Sequence, residues 1–535
     1  MHKYIFPLFA LLLINSILSA QNNNLNIMTS MQGAHNNSHF GETMATLDFN
    51  HDGYDDLVVC SPGWRNVFPS GWIMGKVDIY FGGPNFDNIP EITMEGQYDF
   101  QYNSVINIGD VNGDGYDDLY IGGYEPTGNP TTHYLRIYTG GNIAPPEPDI
   151  MIPYTLPTNR NLMDVVRLGD VNGDNKDDVG FSLESSITPG ALDFYIVWGG
   201  GIINQYFISS CAWSESYTTG FNGIGDINGD GYNDFTIGYT YDDPYLGYHL
   251  ITIYYGNADS SLTDTMVLAQ TQANISKIST ALGDINGDGI DDFMGYLSDA
   301  GLNVWLGSAE TNTTPNLALN PSWQGGEFGR CLKYGDLNHD GFDDVAGTNF
   351  YIDQFRIWMG RSYPNGNSDL LVYAPYDLNE DIDNFGYGLT MGDYNGDSCC
   401  DVAVSAPFTD DPVAQDYRGY VYVYAGNTDL ADTTTSIIDP HSPPITDQFK
   451  ISISPNPVNI SNQYITIKLE NDAISDKNPI EISIYNIRGQ CVQHIRSENY
   501  SNFYNIDITK MASGIYLCQV KKGNKVDTGK ISVIK

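Results

Sequence analysis

Seven stretches of this chain place Asp, Asn and Asp on alternate residues and close with a fourth ligand-type residue, in the pattern Asp-x-Asn-x-Asp-x-x-x-Asp. They begin at Asp48, Asp110, Asp170, Asp226, Asp284, Asp336 and Asp393, at intervals of 52 to 62 residues. A short loop can aim several oxygens at one centre only if alternate side chains turn inward. Such a centre suits a hard cation, calcium above all, which takes roughly 6 to 8 oxygen ligands from carboxylates, amides, backbone carbonyls and water. The expected side-chain ligands are Asp48, Asn50, Asp52 and Asp56 in loop one; Asp110, Asn112, Asp114 and Asp118 in loop two; and Asp170, Asn172, Asp174 and Asp178 in loop three. Loops four to seven offer Asp226, Asn228, Asp230 and Asp234; Asp284, Asn286, Asp288 and Asp292; Asp336, Asn338, Asp340 and Asp344; and Asp393, Asn395, Asp397 and Asp401. Position 7 varies (Tyr54, Tyr116, Lys176, Tyr232, Ile290, Phe342, Cys399), as it should if only its carbonyl coordinates.

Position 6 is Gly in five loops, Asn175 in loop three and Ser398 in loop seven. Gly tolerates the left-handed backbone of a sharp turn, and Asn visits it more readily than Ser, so up to seven structural calcium ions are expected, with loop seven the weakest site. An EF-hand loop would need an acid at position 12 and a helix beyond it. Position 12 reads Val59, Ile121, Phe181, Ile237, Gly295, Gly347 and Val404, and the runs after each loop, such as Leu57-Val58-Val59, are strand-like. Each loop is therefore expected to join two strands. Acidic turns without a metal are the plainer reading, but turn propensity does not explain Asp at positions 1, 5 and 9 in every copy.

The elements that must hold these loops also repeat. An aromatic, one residue, then Gly recurs at Tyr80, Tyr138, Trp198, Tyr254, Trp305, Trp358 and Tyr424, closing runs such as Val77-Asp78-Ile79-Tyr80. Each repeat thus has a strand, a loop, a second strand, a third ending aromatic-x-Gly, and room for a fourth. Four-stranded units at this period predict propeller blades, with the aromatics as packing between them. The expected fold class is all-β, a seven-bladed β-propeller followed by an immunoglobulin-like β-sandwich.

Phe40-Gly41, Phe328-Gly329 and Phe385-Gly386 precede three loops, Ser405-Ala406-Pro407 comes after the seventh, and Ser61-Pro62-Gly63 after the first. With the Asp loops and Gly-x-Val-Tyr-Val-Tyr at Gly419, this resembles the FG-GAP (VCBS-type) repeat of the integrin α-subunit propeller. The resemblance implies that each calcium staples a hairpin on one face, and it leaves function open. Leu25 to Gln32 resembles Glu91 to Glu95, which predicts that it closes the ring as the outer strand of blade seven.

Residues 1–20 read as a signal peptide, with Lys3, an apolar run from Ile5 to Leu18, and Ser19-Ala20 before the cut. The propeller is assigned to 21–430, a linker to 431–449 and the second domain to 450–535. The split is visible in charge: Gln21 to Phe449 holds 12 Lys+Arg and 59 Asp+Glu, whereas Lys450 to Lys535 holds 11 and 7. Ser454-Pro-Asn-Pro457, Ile484-Tyr485-Asn486 with Arg488-Gly489-Gln490, and Met511 to Tyr516 resemble the C-terminal sorting domain of the bacterial type IX secretion system. That implies the secretion machinery as a partner and a secreted or outer-membrane surface location in a Gram-negative cell. The seven cysteines suggest neither a disulfide framework nor a zinc site, though Cys491 and Cys518 are candidates for a bridge.

The acidic excess argues against nucleic acid or an anionic membrane as partner. No His-Glu-x-x-His, Gly-x-Ser-x-Gly, P-loop or zinc pattern is present, and no transmembrane segment is expected. The expectation is a non-catalytic binding or adhesion module for a glycan or extracellular protein, its specificity carried by loops such as Trp64 to Gly71 and Tyr239 to Tyr248. The alternative is a polysaccharide-active lyase or hydrolase with its site in the central funnel, against which the scarcity of Lys and Arg weighs.

Overall fold

A computed structural model divides the chain into two compact units, Met1–Thr435 and Ser436–Lys535. It describes residues 25–430 and 450–534 other than 65–73, 98–99, 125–132, 143–147, 155–161, 185–190, 201–204, 213–220, 242–247, 271–278, 298–300, 310–311, 320–330, 376–383, 410–416, 455–457, 460–463, 471–479, 487–490, 498–502, 510 and 523–524. The signal peptide and linker assignments therefore lie outside the described residues, as does Phe328-Gly329.

Every regular element described is a β-strand. After β1 (Asn26–Gln32), sheet one comprises β2 (Thr43–Leu47), β3 (Asp56–Ser61), β4 (Lys76–Tyr80) and β5 (Ile92–Glu95). Sheet two comprises β6 (Gln101–Gly109), β7 (Asp118–Tyr124), β8 (His133–Tyr138) and β9 (Ile150–Tyr154). Sheet three comprises β10 (Leu162–Gly169), β11 (Asp178–Glu184), β12 (Ala191–Val197) and β13 (Gln205–Ala212). Sheet four comprises β14 (Asn222–Gly225), β15 (Asp234–Tyr241), β16 (Tyr248–Tyr254) and β17 (Thr265–Gln270). Sheet five comprises β18 (Ser279–Gly283), β19 (Asp292–Leu297), β20 (Gly301–Trp305) and β21 (Leu317–Leu319). Sheet six comprises β22 (Leu332–Gly335), β23 (Asp344–Asn349), β24 (Gln354–Trp358) and β25 (Leu370–Tyr373). Sheet seven takes β26 (Leu389–Gly392), β27 (Asp401–Ala406) and β28 (Tyr420–Ala425), and its fourth strand is β1.

Ladders within each sheet are antiparallel, in strand order one to four. The expectation for Leu25 to Gln32 holds in β1, which pairs with β28 from Asn26 opposite Ala425 to Gln32 opposite Tyr420. First strands neighbour one another in the series β2, β6, β10, β14, β18, β22, β26, and β26 returns to β2. The sheets accordingly succeed one another in a closed circle.

Burial tracks position in this circle. The second strands are covered on both faces: every residue of β3, β23 and β27 is buried, which explains continuous runs such as Leu57-Val58-Val59-Cys60. The outer β5 alternates buried and exposed, as a strand covered on one face does. Each gap between consecutive sheets holds its own apolar cluster. Leu47, Val58, Val105 and Leu119 fill the gap between sheets one and two, and Met31, Leu57, Tyr80 and Val423 close the one between seven and one. The aromatic-x-Gly residues belong to these clusters: Tyr80, Tyr138, Trp305, Trp358 and Tyr424 are all at most 4% exposed. Repeat three differs from the expected assignment. Val197, not Trp198, pairs with Val179 as Tyr80 pairs with Leu57, so Trp198 lies one residue beyond the equivalent position.

The second unit has a sheet of β29 (Lys450–Ser454), β31 (Tyr464–Glu470) and β34 (Phe503–Asp507). The other holds β30 (Val458–Asn459), β36 (Lys525–Ile534), β35 (Gly514–Lys522), β32 (Ile480–Asn486) and β33 (Cys491–Ser497), in that order. Both sheets contribute to one core, in which Ile465, Ile467 and Ile506 meet Ile482, Val520 and Ile531. The suggested Cys491–Cys518 bridge is corrected by this order. β32 lies between β33 and β35, which puts the two cysteines about 10 Å apart across the ladder, too far for a disulfide.

Candidate metal centre

All seven Asp loops join the first strand of a sheet to the second, as expected from the strand-like runs beyond them. Position 9 is the first residue of that second strand in every sheet: Asp56, Asp118, Asp178, Asp234, Asp292, Asp344 and Asp401. The seven loops consequently lie at the same end of their sheets.

Backbone amides organise each loop. The position 1 carboxylate accepts the position 6 amide in all seven copies, from Gly53 N–H to Asp48 at 3.0 Å through Ser398 N–H to Asp393 at 2.8 Å. The position 5 carboxylate accepts the position 7 amide in all seven, as in Tyr54 N–H to Asp52 at 3.1 Å. These bonds need left-handed backbone. At position 6 Gly53, Gly115, Gly231, Gly289 and Gly341 have φ of 86 to 90°, Asn175 has 63° and Ser398 has 70°. Position 4 is left-handed too, at His51 (φ 55°) and His339 (φ 56°) and at Gly in the other five. That second requirement was readable in the sequence, where position 4 is only ever Gly or His, and both His side chains are exposed.

Position 9 departs from the position 1 and position 5 carboxylates, which are half-buried or exposed. Its carboxylate is fully buried, with one oxygen accepting the position 2 amide (Phe49 N–H to Asp56, 3.0 Å). The other accepts the amide of the aromatic-x-Gly glycine (Gly82 N–H to Asp56, 2.8 Å). Both bonds recur in all seven sheets, with Gly140, Gly199, Gly256, Gly307, Gly360 and Gly426 as the later donors; in sheet three the donor Gly199 is one residue before the glycine of the Trp198 motif, in keeping with the offset there. Two separate sequence markers are thus one hydrogen-bonded unit. The glycine is required by space, since a Cβ on Gly82 would lie 2.2 Å from the Asp55 carbonyl oxygen. Burial pushes the position 9 carboxyls up against the opposing effect of these amides, to about 7 at Asp56 and about 8 at Asp234 and Asp344.

Position 8, which had no obvious role in the sequence, links one loop to the one before it. Asp110 N–H donates to Asp177 at 2.9 Å, Asp226 N–H to Asp291 at 2.9 Å and Asp284 N–H to Asp343 at 2.9 Å. Asn233 does the same for Asp170 at 3.0 Å, and Asp117 for Asp48. In return the position 8 amide donates to the position 1 carbonyl, as Asp177 N–H does to Asp110 at 3.0 Å. The series crosses the closure of the circle, where Asp393 N–H donates to Asp55 at 2.8 Å. Loop seven has Cys400 at position 8, so its link to loop six is the backbone bond from Cys400 N–H to Asp336, at 2.8 Å. Arg167 neutralises part of this acidic ring through paired bonds to Asp177 at 3.0 and 3.1 Å.

The donor set fits calcium in kind: carboxylates at positions 1 and 5, an amide at 3, a carbonyl at 7 and a carboxylate at 9, all oxygen. Among the described residues, no three Asp, Glu, His or Cys side chains converge closely enough to hold an ion by themselves. The position 1 and position 5 carboxylates face loop amides, and position 9 faces two more. A cation would draw on their remaining lone pairs and offset the repulsion among neighbouring acids.

The comparisons with known proteins match this organisation. FG-GAP repeats are present at 40–71 and 385–424, the two copies that keep the Ser-Pro or Ala-Pro signature after the loop. A secretion system C-terminal sorting domain is present at 452–535. The chain is 38% identical to integrin alpha-6 of Gallus gallus over 87 residues, 16% of this chain and 8% of the integrin. It is 29% identical to integrin alpha-5 of Xenopus laevis over 89 residues, 16% of this chain and 8% of that one. It is also 31% identical to the phosphatidylinositol-glycan-specific phospholipase D of Mus musculus over 150 residues, 25% of this chain and 18% of the enzyme. The chain thus matches less than a tenth of the length of either integrin. The sorting domain implies secretion through the type IX system, and no helix among the described residues is long and apolar enough to cross a membrane.

Proposed function

We propose that the first unit is a seven-bladed β-propeller whose loops hold up to seven structural calcium ions, and that it serves as a secreted or surface-displayed binding module for a glycan or extracellular protein. The second unit, on this reading, is an immunoglobulin-like sandwich that delivers it through the type IX secretion system. The observation that carries the proposal is the sevenfold recurrence of one hydrogen-bonded loop at one end of a closed circle of four-stranded sheets. That end is occupied by scaffold chemistry, which leaves the opposite end for recognition. Two loops expected to recognise a ligand, Trp64 to Gly71 and Tyr239 to Tyr248, fall largely outside the described residues; Trp64 itself is buried against the His35 ring.

The role is non-catalytic on this reading. The test is to incubate the full chain with an array of glycans and extracellular proteins, with calcium and with EDTA, and to assay the same polysaccharides for shortened products. Calcium-dependent capture without products is the expected result. Release of products from any polysaccharide would establish a lyase or hydrolase instead.

A further inference from the structure

At the end of the first unit away from the Asp loops, the starts of the first strands surround a cavity of about 440 Å³. Its wall includes Thr43 from sheet one, Asn222 from sheet four, Ser279 and Thr280 from sheet five, Lys333 from sheet six and Tyr387 beside sheet seven. Polar side chains from several sheets thus meet at one space; Thr43 Oγ1 there accepts the Val105 N–H, and the buried Ser279 hydroxyl is bonded to that of Thr236. Lys333 is the wall's lysine, and among the described residues no carboxylate pairs with it. The wall's own carboxylate, Glu42, is engaged by His39 Nδ1 at 3.3 Å. Lys333 is reached by solvent yet surrounded by protein, as a side chain in a funnel is, and desolvation holds its ammonium below the usual lysine range.

An aromatic ledge continues outward from this wall. The Tyr387 ring lies 5.0 Å from Phe408 and 5.8 Å from Phe350, which in turn lies 4.2 Å from Tyr351. On the other side Phe408 lies 6.5 Å from Tyr417. Tyr351 is 60% and Tyr417 44% exposed, so the ledge ends in rings offered to solvent. These residues come from connections of sheets six and seven, all at the end opposite the Asp loops.

Exposed rings beside a hydroxyl-lined cavity match the two surfaces of a pyranose, its C–H face and its hydroxyl rim. An ammonium with no carboxylate partner among the described residues adds selection for a carboxylate on that sugar. The acidity does not oppose this at close range, because 26 of the 59 acids between Gln21 and Phe449 lie in the loops at the far end. We propose that the cavity and ledge bind an acidic saccharide, with a uronate carboxylate on Lys333 and adjoining sugars against Tyr387 and Tyr351. This rests on the binding-module reading and specifies its ligand class.

The test is titration calorimetry of the full chain, at one fixed calcium concentration, with oligosaccharides of galacturonic acid, their carboxyl-reduced counterparts and cello-oligosaccharides. The acidic series is expected to bind and the two neutral series to bind at least about tenfold more weakly, the loss of one charge-assisted contact. Lys333→Met should weaken the acidic series about tenfold with an unchanged melting temperature, and Lys333→Arg should restore most of it. Tyr351→Ala should weaken oligosaccharides and spare monomeric galacturonate. Uronates bridge calcium, so binding through an adventitious ion would be indifferent to Lys333. Equal affinity of Lys333→Met, or equal binding of the neutral series, overturns the proposal. Capture of a protein or neutral glycan with no uronate binding also overturns it while leaving the binding-module reading intact, whereas cleavage of the oligosaccharides sinks that reading.

Discussion

Two kinds of glycine in this chain look alike in sequence and differ physically. Gly53 sits at φ 87° with no atom within 4 Å of where a Cβ would be, so its requirement is purely conformational. Gly82 has no room at all, its missing Cβ being 2.2 Å from the Asp55 carbonyl. Gly53→Ala is expected to cost about 1–2 kcal/mol through left-handed strain. Gly82→Ala should cost more, about 2–3 kcal/mol, by forcing apart the position 8 backbone and the bond to Asp56. Denaturant melts of the two variants under identical calcium would separate them, and equal losses would contradict the spatial argument. Ser398 presents the converse case, a β-carbon at φ 70° where five of its counterparts are Gly. Ser398→Gly is expected to stabilise by roughly 0.5–1 kcal/mol, the relief of strain less the added chain entropy. A lower midpoint for that variant would mean that the Ser398 side chain does something the backbone does not explain.

At the scale of elements, the closing strand carries the most consequence. β1 supplies the outer strand of a sheet whose other three strands lie more than 350 residues later, so the circle is closed by hydrogen bonds between distant parts of the chain. Its Met31 also fills the gap between sheets seven and one, beside Leu57 and Val423. A chain beginning at Gly33 should leave the β28 edge open and that gap unfilled. Its melt should become broad and its solutions should aggregate, as read by calorimetry and light scattering. A sharp, unshifted transition would show that closure is carried by the side-chain clusters alone. The position 8 bonds are a second closure at the loop end, through Asp393 to Asp55, and the Cys400 link is the member made by backbone alone.

For the whole molecule, charge and metal are coupled. Without a cation, the buried position 9 carboxyls have folded values near 7 to 8 against 3.8 for the free group, so folding takes up protons. Stability from this source is complete below the unfolded value and is lost as pH rises through the folded one. In EDTA the melting temperature should therefore rise as pH falls from about 8 to about 6. In excess calcium the trend should reverse, because protons then compete with the ion. At about 10 mM calcium and extracellular-type affinities of roughly 10⁻⁴–10⁻³ M, each occupied site would add about 1.4–2.7 kcal/mol. A melt indifferent to EDTA at both pH values would rule out structural calcium.

Much of this organisation was legible in the chain itself, because it repeats. Loop spacing, the strand after each loop and the outer strand before repeat one are local patterns, and a local pattern copied seven times predicts an element reliably. The acids at positions 1 and 5 could be assigned as loop ligand groups for the same reason. The reach of a side chain beyond its own repeat was not legible. Asp at position 8 acts on another repeat, as Asp177 does on the amide of Asp110, 67 residues earlier. The joint role of position 9 and the aromatic-x-Gly glycine, the one-residue offset at Trp198, and the separation of Cys491 from Cys518 depend equally on which strands lie side by side. So does the placement of Lys333 among hydroxyls from other sheets. Sequence alone determined the repeat, its turns and its acids, since these are set by short-range backbone conformation and side-chain chemistry. Tertiary structure alone decided which of those acids are buried and which surfaces face one another, because both depend on distant segments meeting in a closed ring.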